Sequence, residues 1–446
     1  MLQGNTLLPG VRINFESTRT RPLTFGVRGT VLLPLIGHSY GPAKEFITIN
    51  GRTPNSEFFK LGYSISEDVP SMLLIREALK NALTVVAYIP NQGARATMTE
   101  YGLVARARYG GARGNDLRVT VTTNPINGFN VLIHLGNTAV SSYEGLLTIG
   151  DLIAQNDGWI EFAGEAGEDL VPFAGRNLAG GVTGTTTTGD ISEFLRLAEP
   201  IHWNAMAFPI EDTASDALSL YTMVVSQIKH LRDIAGKPRI AVIPAINGLK
   251  PDHEGIISVK NSVVVDGVAL TTAQVTAWVA GADSGALPSE SNTYKTYDGA
   301  TDIVGRLDGS EEIASANNGE FFFAYSEANE IVVRQDINSL VTFEHPKDET
   351  YRLNRTRRSQ DALREAIHRE FPPNKFDNSP DHWSVMEGLG RSILLRFEEA
   401  RIIKNVDVDN DFRVDRERSG GESTTFIVGY EQLLSSEKLF FTVKTR

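Results

Sequence analysis

Strand and helix signals alternate in two separate stretches of this chain, and a purely β stretch lies between them. "GTVLLPLIG" reads as a buried strand closed by glycine, and "DVPSMLLIREALKNAL" as a helix capped by Asp68 with Pro70 just inside it. "TVVAYIP" follows as the next strand. From about Tyr101 to Gly180 the runs "DLRVTVTT", "FNVLIHLG" and "WIEFAG" are short, alternating and divided by Gly, Asn and Pro, which predicts an all-β sandwich. Beyond it "WNAMAFP" precedes a helix from about Ser215 to Ala235, with Leu218, Tyr221, Val225, Ile228 and Leu231 on one face and Gly236 as its stop. "RIAVIPA" and "GIISVKNSVVV" are strands, and Thr271 with Gln274 forms a capping box for the following helix. The same grammar on both sides predicts one layered α/β domain with the β module inserted into it.

The two ends of the chain carry other patterns. In "PGVRINFE", Val11, Ile13 and Phe15 alternate with polar residues, a strand. "NRTRRSQDALREAIHREF" is a charged helix with a narrow apolar stripe of Leu363, Ile367 and Phe371; "SVMEGLGRSILLRFEEARII" carries a wider one through Met386, Leu389, Ile393 and Phe397. "FIVGY" and "EKLFFTVKTR" follow as strands, the latter alternating through Leu439, Phe441 and Val443. The expected division is an N-terminal arm (1–17), a first part of the α/β core (18–100), the sandwich (101–180), the rest of the α/β core (181–342), a C-terminal α+β domain (343–437) and a C-terminal arm (438–446).

Composition excludes several functions. At 446 residues the chain should hold about three domains. With 41% hydrophobic and 22% charged residues it has the balance of a soluble globular protein. No apolar run approaches the roughly 18 to 20 residues of a membrane span, and "MLQGNTLLPG" lacks a signal peptide's pattern, so no membrane insertion and a cytoplasmic start are expected. The absence of Cys removes disulfides, thiol catalysis and cysteine zinc sites. A formal charge of -12 opposes general nucleic-acid binding.

The chemical motifs fail on inspection. "LAGGVTGTTTTGDISEFL" is rich in glycine, but Asp190 stands where a phosphate-binding loop needs lysine, and a carboxylate there repels phosphate. A flexible joint ending in a helix capped by Asp190 and Glu193 accounts for it better. "DHEG" at Asp252 to Gly255 has no second histidine on the same helical face, so no metal is expected. "DVDNDF" begins like a calcium loop, yet Phe412 occupies the turn glycine's place and Arg418 the bidentate glutamate's. Ser435 and Lys438 match S-x-x-K without its companion motifs. "RARYGGARGNDL" places Arg106, Arg108 and Arg113 about a glycine turn, where exposed arginines are expected rather than an anion site. No enzyme activity and no cofactor follow from these residues. The terminal strands remain, because a strand unpaired in its own domain invites a second chain.

The segments "LPGVRINFES", "YGGARGNDLRVTV", "LAGGVTGTTTTGD", "HEGIISVKNSVVVDGVALTTAQVTAWVAGADSGA" and "VVRQDINSLVTF", in this order, resemble the tail sheath proteins of contractile bacteriophages, prophages and phage-tail-like bacteriocins. The resemblance covers nearly the whole chain. It implies a β-sandwich, an α/β domain of subtilisin-like fold without protease residues, and a C-terminal α+β domain. It further implies a structural subunit that stacks as rings of six around the tail tube and contracts to drive the tube through the host envelope. Its partners would be neighbouring sheath subunits joined by strand addition, the tube protein, and baseplate and tail terminator proteins. Its arms would be carried here by Val11, Ile13 and Phe15 and by Leu439, Phe441 and Val443. Assembly would take place in the host cytoplasm and the product would be the virion tail sheath. A cytoplasmic α/β hydrolase or peptidase is the alternative, and a self-assembling shell or adhesin a third reading.

Overall fold

A computed structural model describes residues 29–91, 93–211 and 216–444. Its centre is a seven-stranded sheet. Strands Thr30–Pro34, Thr84–Tyr88, Ala205–Ala207, Ile240–Pro244, Ile256–Val259 and Glu320–Phe321 run parallel, and Phe46–Asn50 lies antiparallel on one edge. Thr30–Pro34 and Ile240–Pro244 are buried at every residue, as a parallel strand covered on both faces must be. Alternate side chains serve different layers. Val31, Leu33 and Val242 pack with Trp278 and Ile75 of helices Thr272–Gly285 and Pro70–Leu79. Leu32, Met206 and Ile243 pack with Phe194 and Val224 of helices Thr188–Ala198 and Ala217–Lys229. The sheet takes strands from both sides of the β module in sequence. Where the two helices of the first layer cross, a Cβ on Gly281 would stand 2.4 Å from the carbonyl oxygen of Ala78, so only glycine allows that approach.

The β module has a four-stranded sheet, ordered Phe173–Asn177, Leu117–Thr123, Phe129–Leu135, Thr138–Leu146, and a three-stranded one, Thr97–Glu100, Leu103–Ala107, Ile160–Ala163. Val119, Ile133, Ala105 and Phe162 share the core that both sheets contribute to. The two connections to the α/β layers run side by side: Thr97 N–H donates to Ala179 O at 2.8 Å, Ala179 N–H returns to Thr97 O at 3.0 Å, and Val182 N–H reaches Ala94 O at 3.2 Å. The expected flexible joint is therefore a hydrogen-bonded one. The helix after it is capped three residues earlier than expected: Thr187 is the N-cap, and Asp190 is its N3 partner in a capping box.

Two other helix starts are corrected. Val69, not Asp68, is the N-cap before Pro70. The helix expected from Ser215 begins at Ala217, which takes the buried position assigned to Leu218, and Leu218 is exposed. It widens into a π-helical turn at His230–Ile234 before Gly236, and that turn buries Arg232. The capping box of Thr271 and Gln274 is present.

Helices Asn354–Glu370 and Pro380–Glu399 pack through Leu363, Ile393 and Phe397, while Leu389 is half-buried. Two short antiparallel ribbons cover them, Ile403–Lys404 with Glu431–Gln432 and Phe412–Val414 with Phe426–Val428. Within "DVDNDF", Asp407 accepts from the N–H groups of Asp409 and Asn410, a self-contained turn.

Candidate functional site

Helix Asn354–Glu370 opens on "NRTRRSQD", and Asn354, Arg357, Arg358 and Asp361 fall at i, i+3, i+4 and i+7, one face of a helix. That face turns inward, with Arg358 0% and Arg357 1% exposed. Three carboxylates meet them from separate elements: Asp283 near the end of helix Thr272–Gly285, Asp336 in the segment after strand Ile331–Val333, and Asp361 one turn along. Arg358 donates to Asp283 Oδ1 at 2.6 Å, to Asp336 Oδ2 at 2.7 Å and to the carbonyl of Glu290 at 2.8 Å. Arg357 donates to Asp283 and, at 3.1 Å, to Asp361 Oδ2. Arg232 takes Asp361 with both terminal nitrogens, at 2.9 and 3.2 Å.

Three guanidinium groups thus face three carboxylates, and the cluster is electrically balanced. Burial pulls the Arg358 pKa down, but Asp336 and Asp283 outweigh it and hold the group above the ordinary arginine value. Arg232 follows the same pattern, with Asp361 as the main partner opposing burial. Both stay charged, and the network splices the C-terminal helices onto the α/β layers.

A second group adjoins it. Glu254 accepts from Lys347 at 2.9 Å and lies 3.9 Å from Arg232. Burial pushes its carboxyl upward, but His253, Lys347 and Arg232 together bring it below the usual value. Asp233, His253 and Glu254 have ligand atoms within 4.8 Å of one another, the size of a metal site. The hydrogen bonds argue against that use. Gly255 N–H donates to His253 Nδ1 at 3.0 Å, so the ring's proton is on Nε2, which faces Asp233 Oδ2 at 3.1 Å. Two cations already satisfy Glu254.

The structure does not bring the sequence-derived residues together into a pocket. Val11, Ile13 and Phe15 lie outside the described residues. Leu439, Phe441 and Val443 are 66%, 84% and 85% exposed, and residues 438–444 form no strand with the described residues, where a terminal strand is expected. Alternation marks a potential strand, and a strand needs a neighbouring edge that the described residues of one copy do not offer this segment. The three arginines of the glycine turn diverge. Arg106 is exposed, Arg108 holds the carbonyl of Asp157 at 2.9 Å, and Arg113 reaches Glu67 at 2.9 Å while lying over the Tyr63 ring at 4.4 Å. Of these, the expectation of exposure holds for Arg106 alone.

Three family models match consecutive parts of the chain: the phage tail sheath protein beta-sandwich domain over residues 91–185, the central domain over 184–339 and the C-terminal domain over 346–446. The chain is 30% identical to the phage-like element PBSX protein XkdK of Bacillus subtilis, over 98% of this chain and 96% of that protein. It is similar to the solved structure of a sheath tail protein from Desulfitobacterium hafniense, with a TM-score of 0.78 and 32% identity over 95% of this chain and 100% of that one. The helical sheath of the anti-feeding prophage in its contracted state shares the fold at a TM-score of 0.56 and 11% identity, over 99% of this chain and 100% of that one.

Proposed function

The chain belongs to the phage tail sheath protein family and is a structural, non-enzymatic sheath subunit, and from that premise we propose how it assembles. Subunits stack as hexameric rings around a tail tube, each tied to its neighbours by terminal arms that add a strand to an adjacent copy's sheet. Contraction then drives the tube through the host envelope. Tube, baseplate and tail terminator proteins are the other partners, and assembly takes place in the host cytoplasm. The layered α/β domain is of the subtilisin-like kind in topology, with no protease role attached to the likeness.

The observation that carries this reading is the C-terminal tail. The subunit closes its cores without it, yet it presents Leu439, Phe440, Phe441 and Val443 to solvent at 66% to 93% exposure. A covering partner would bury those side chains for about 1.5 to 3 kcal/mol each, with roughly 1 kcal/mol per backbone hydrogen bond. Repetition through many copies makes such contacts sufficient to hold an assembly. Truncation after Glu437, followed by thermal unfolding and negative-stain microscopy, tests it. A folded subunit that no longer forms tubes is expected; tubes from the truncated protein would refute the arm.

A further inference from the structure

Among the described residues, the tail is held by hydrogen bonds as far as Glu437. Upstream, Ser359 meets Gln432 at 3.0 Å, Leu433 N–H donates to Ile402 O at 3.3 Å, and Arg355 donates to Ser435 Oγ. Glu437 itself leaves the C-terminal domain and crosses to the central one, where its Oε1 accepts from Ser291 Oγ at 2.8 Å and Thr293 Oγ1 at 3.0 Å. Among the described residues, 438–444 make no hydrogen bond and no ion pair.

The two hydroxyls are prepared for a carboxylate. Asp336 N–H donates to Thr293 Oγ1 at 3.0 Å, and Thr293 N–H donates to Ser291 Oγ at 3.2 Å. Each hydroxyl thus accepts one backbone N–H and keeps its single proton to give; Ser291 Oγ lies 3.1 Å from Thr293 Oγ1 and 2.8 Å from Glu437 Oε1, and the charged oxygen is the stronger acceptor. The loop that carries them is fixed by the balanced cluster: Asp336 accepts from Asn292 N–H at 2.9 Å, and Arg358 holds the Glu290 carbonyl at 2.8 Å.

We propose that Ser291 and Thr293 form a carboxylate clasp for Glu437 that sets the exit point of the C-terminal arm on the central domain. The proposal rests on the reading of that tail as an intersubunit arm. It makes two consequences concrete. Val443, the last of the three alternating apolar residues, stands six residues beyond Glu437 and so at most about 22 Å from it, and the edge on a second copy that receives Leu439, Phe441 and Val443 lies within that distance of the Ser291 and Thr293 loop. Tension on the arm also passes into the Asp283, Arg358 and Asp336 cluster rather than into the two short ribbons of the C-terminal domain.

The test compares full-length Glu437→Ala, Ser291→Ala and Glu437→Gln with the chain truncated after Glu437. Thr293 is left intact because its oxygen also serves the N–H of Asp336, a member of the buried cluster, whereas the oxygen of Ser291 serves the N–H of Thr293 within the same loop. In the isolated subunit, Glu437→Ala should speed amide exchange over 433–438 roughly tenfold with thermal unfolding unchanged, since two hydrogen bonds to a charged acceptor are lost from an exposed site. The concentration needed for tube formation should rise by about five- to tenfold, because a longer free tether lowers the arm's effective concentration. Ser291→Ala should move both readouts the same way by less, and Glu437→Gln, which keeps an acceptor oxygen, should restore part of each. Unchanged exchange and unchanged assembly in Glu437→Ala, while the truncated chain forms no tubes, would overturn the clasp and leave the arm standing. Tubes from the truncated chain would instead overturn the arm and the clasp with it.

Discussion

Replacing Arg358 by Met should cost the subunit about 3 to 5 kcal/mol, the range for breaking a buried ion pair from one side. The structure explains why the loss is not smaller. The wild-type cluster has Arg232, Arg357 and Arg358 against Asp283, Asp336 and Asp361, and every one of these side chains is at most 6% exposed. Taking out one cation leaves a net negative charge in a site that water does not reach, and the Glu290 carbonyl loses its donor at 2.8 Å as well. Methionine fills similar volume, so packing contributes little of the change. Adding Asp283→Asn restores the charge balance, and the double variant should be more stable than the sum of the single effects by at least about 1 kcal/mol. Arg358→Lys should fall between wild type and Arg358→Met, because an ammonium keeps the charge but not the fork that reaches three acceptors. Urea unfolding of the five proteins, wild type, Arg358→Met, Asp283→Asn, the double variant and Arg358→Lys, gives the numbers. A loss under about 1 kcal/mol for Arg358→Met, or strict additivity with Asp283→Asn, would refute the argument from charge balance.

Acid should weaken the subunit through His38, whose imidazole is buried between Ser71 Oγ at 2.8 Å and the Leu61 carbonyl at 2.9 Å. Burial, only partly opposed by the Leu61 bond, lowers its pKa from 6.5 to about 4, so the unfolded chain binds this proton first. Stability is full above pH 6.5 and falls toward pH 4 by about 3 kcal/mol. In His38→Gln that part of the pH dependence should vanish, and an unchanged slope between pH 6.5 and 4 would count against it. Two glycine substitutions should have opposite signs in thermal unfolding. Gly281→Ala lowers stability because its Cβ meets the Ala78 backbone at 2.4 Å, whereas Gly388→Ala raises it by about 0.5 to 1 kcal/mol, with nothing within 4 Å of the new atom.

Elements whose signal is local were legible in the sequence. The apolar runs at Thr30–Pro34 and Ile240–Pro244 are what a strand covered on both faces requires, and Thr271 with Gln274 is a cap whose partners are three residues apart. "TTTTGD" was ambiguous because it offers several competent caps in succession, and Thr187 is the one used. The junction was not legible as a site. "NRTRR" reads as a solvated helix face, and the carboxylates that change this reading lie far off in sequence, Asp283 75 residues from Arg358 and Asp336 22 residues away. One signal could have raised suspicion: the polar residues at 354, 357, 358 and 361 keep the period of a buried face just before the apolar stripe starts at Leu363.

If the tail acts as the proposed arm, magnitudes account for its root lying on the central domain. Three buried apolar side chains and about three strand hydrogen bonds would give such an arm roughly 7 to 12 kcal/mol of gross attachment, comparable to the whole stability of an ordinary domain. The C-terminal domain is sealed on its outer side by ribbons of two or three residues per strand, too short to resist a pull of that size. A load entering there would open the ribbons before it released the neighbour. Entering through Glu437 it meets a loop locked by Asp336 and Arg358, whose rupture would strand buried charge. Subunits that move as rigid bodies against one another need their deformable part in the contacts between copies, with the interior stiffer than the links. In the proposed assembly the balanced cluster supplies that stiffness where the C-terminal arm leaves the subunit, and residues 438–444, which hydrogen-bond to none of the described residues, supply the link.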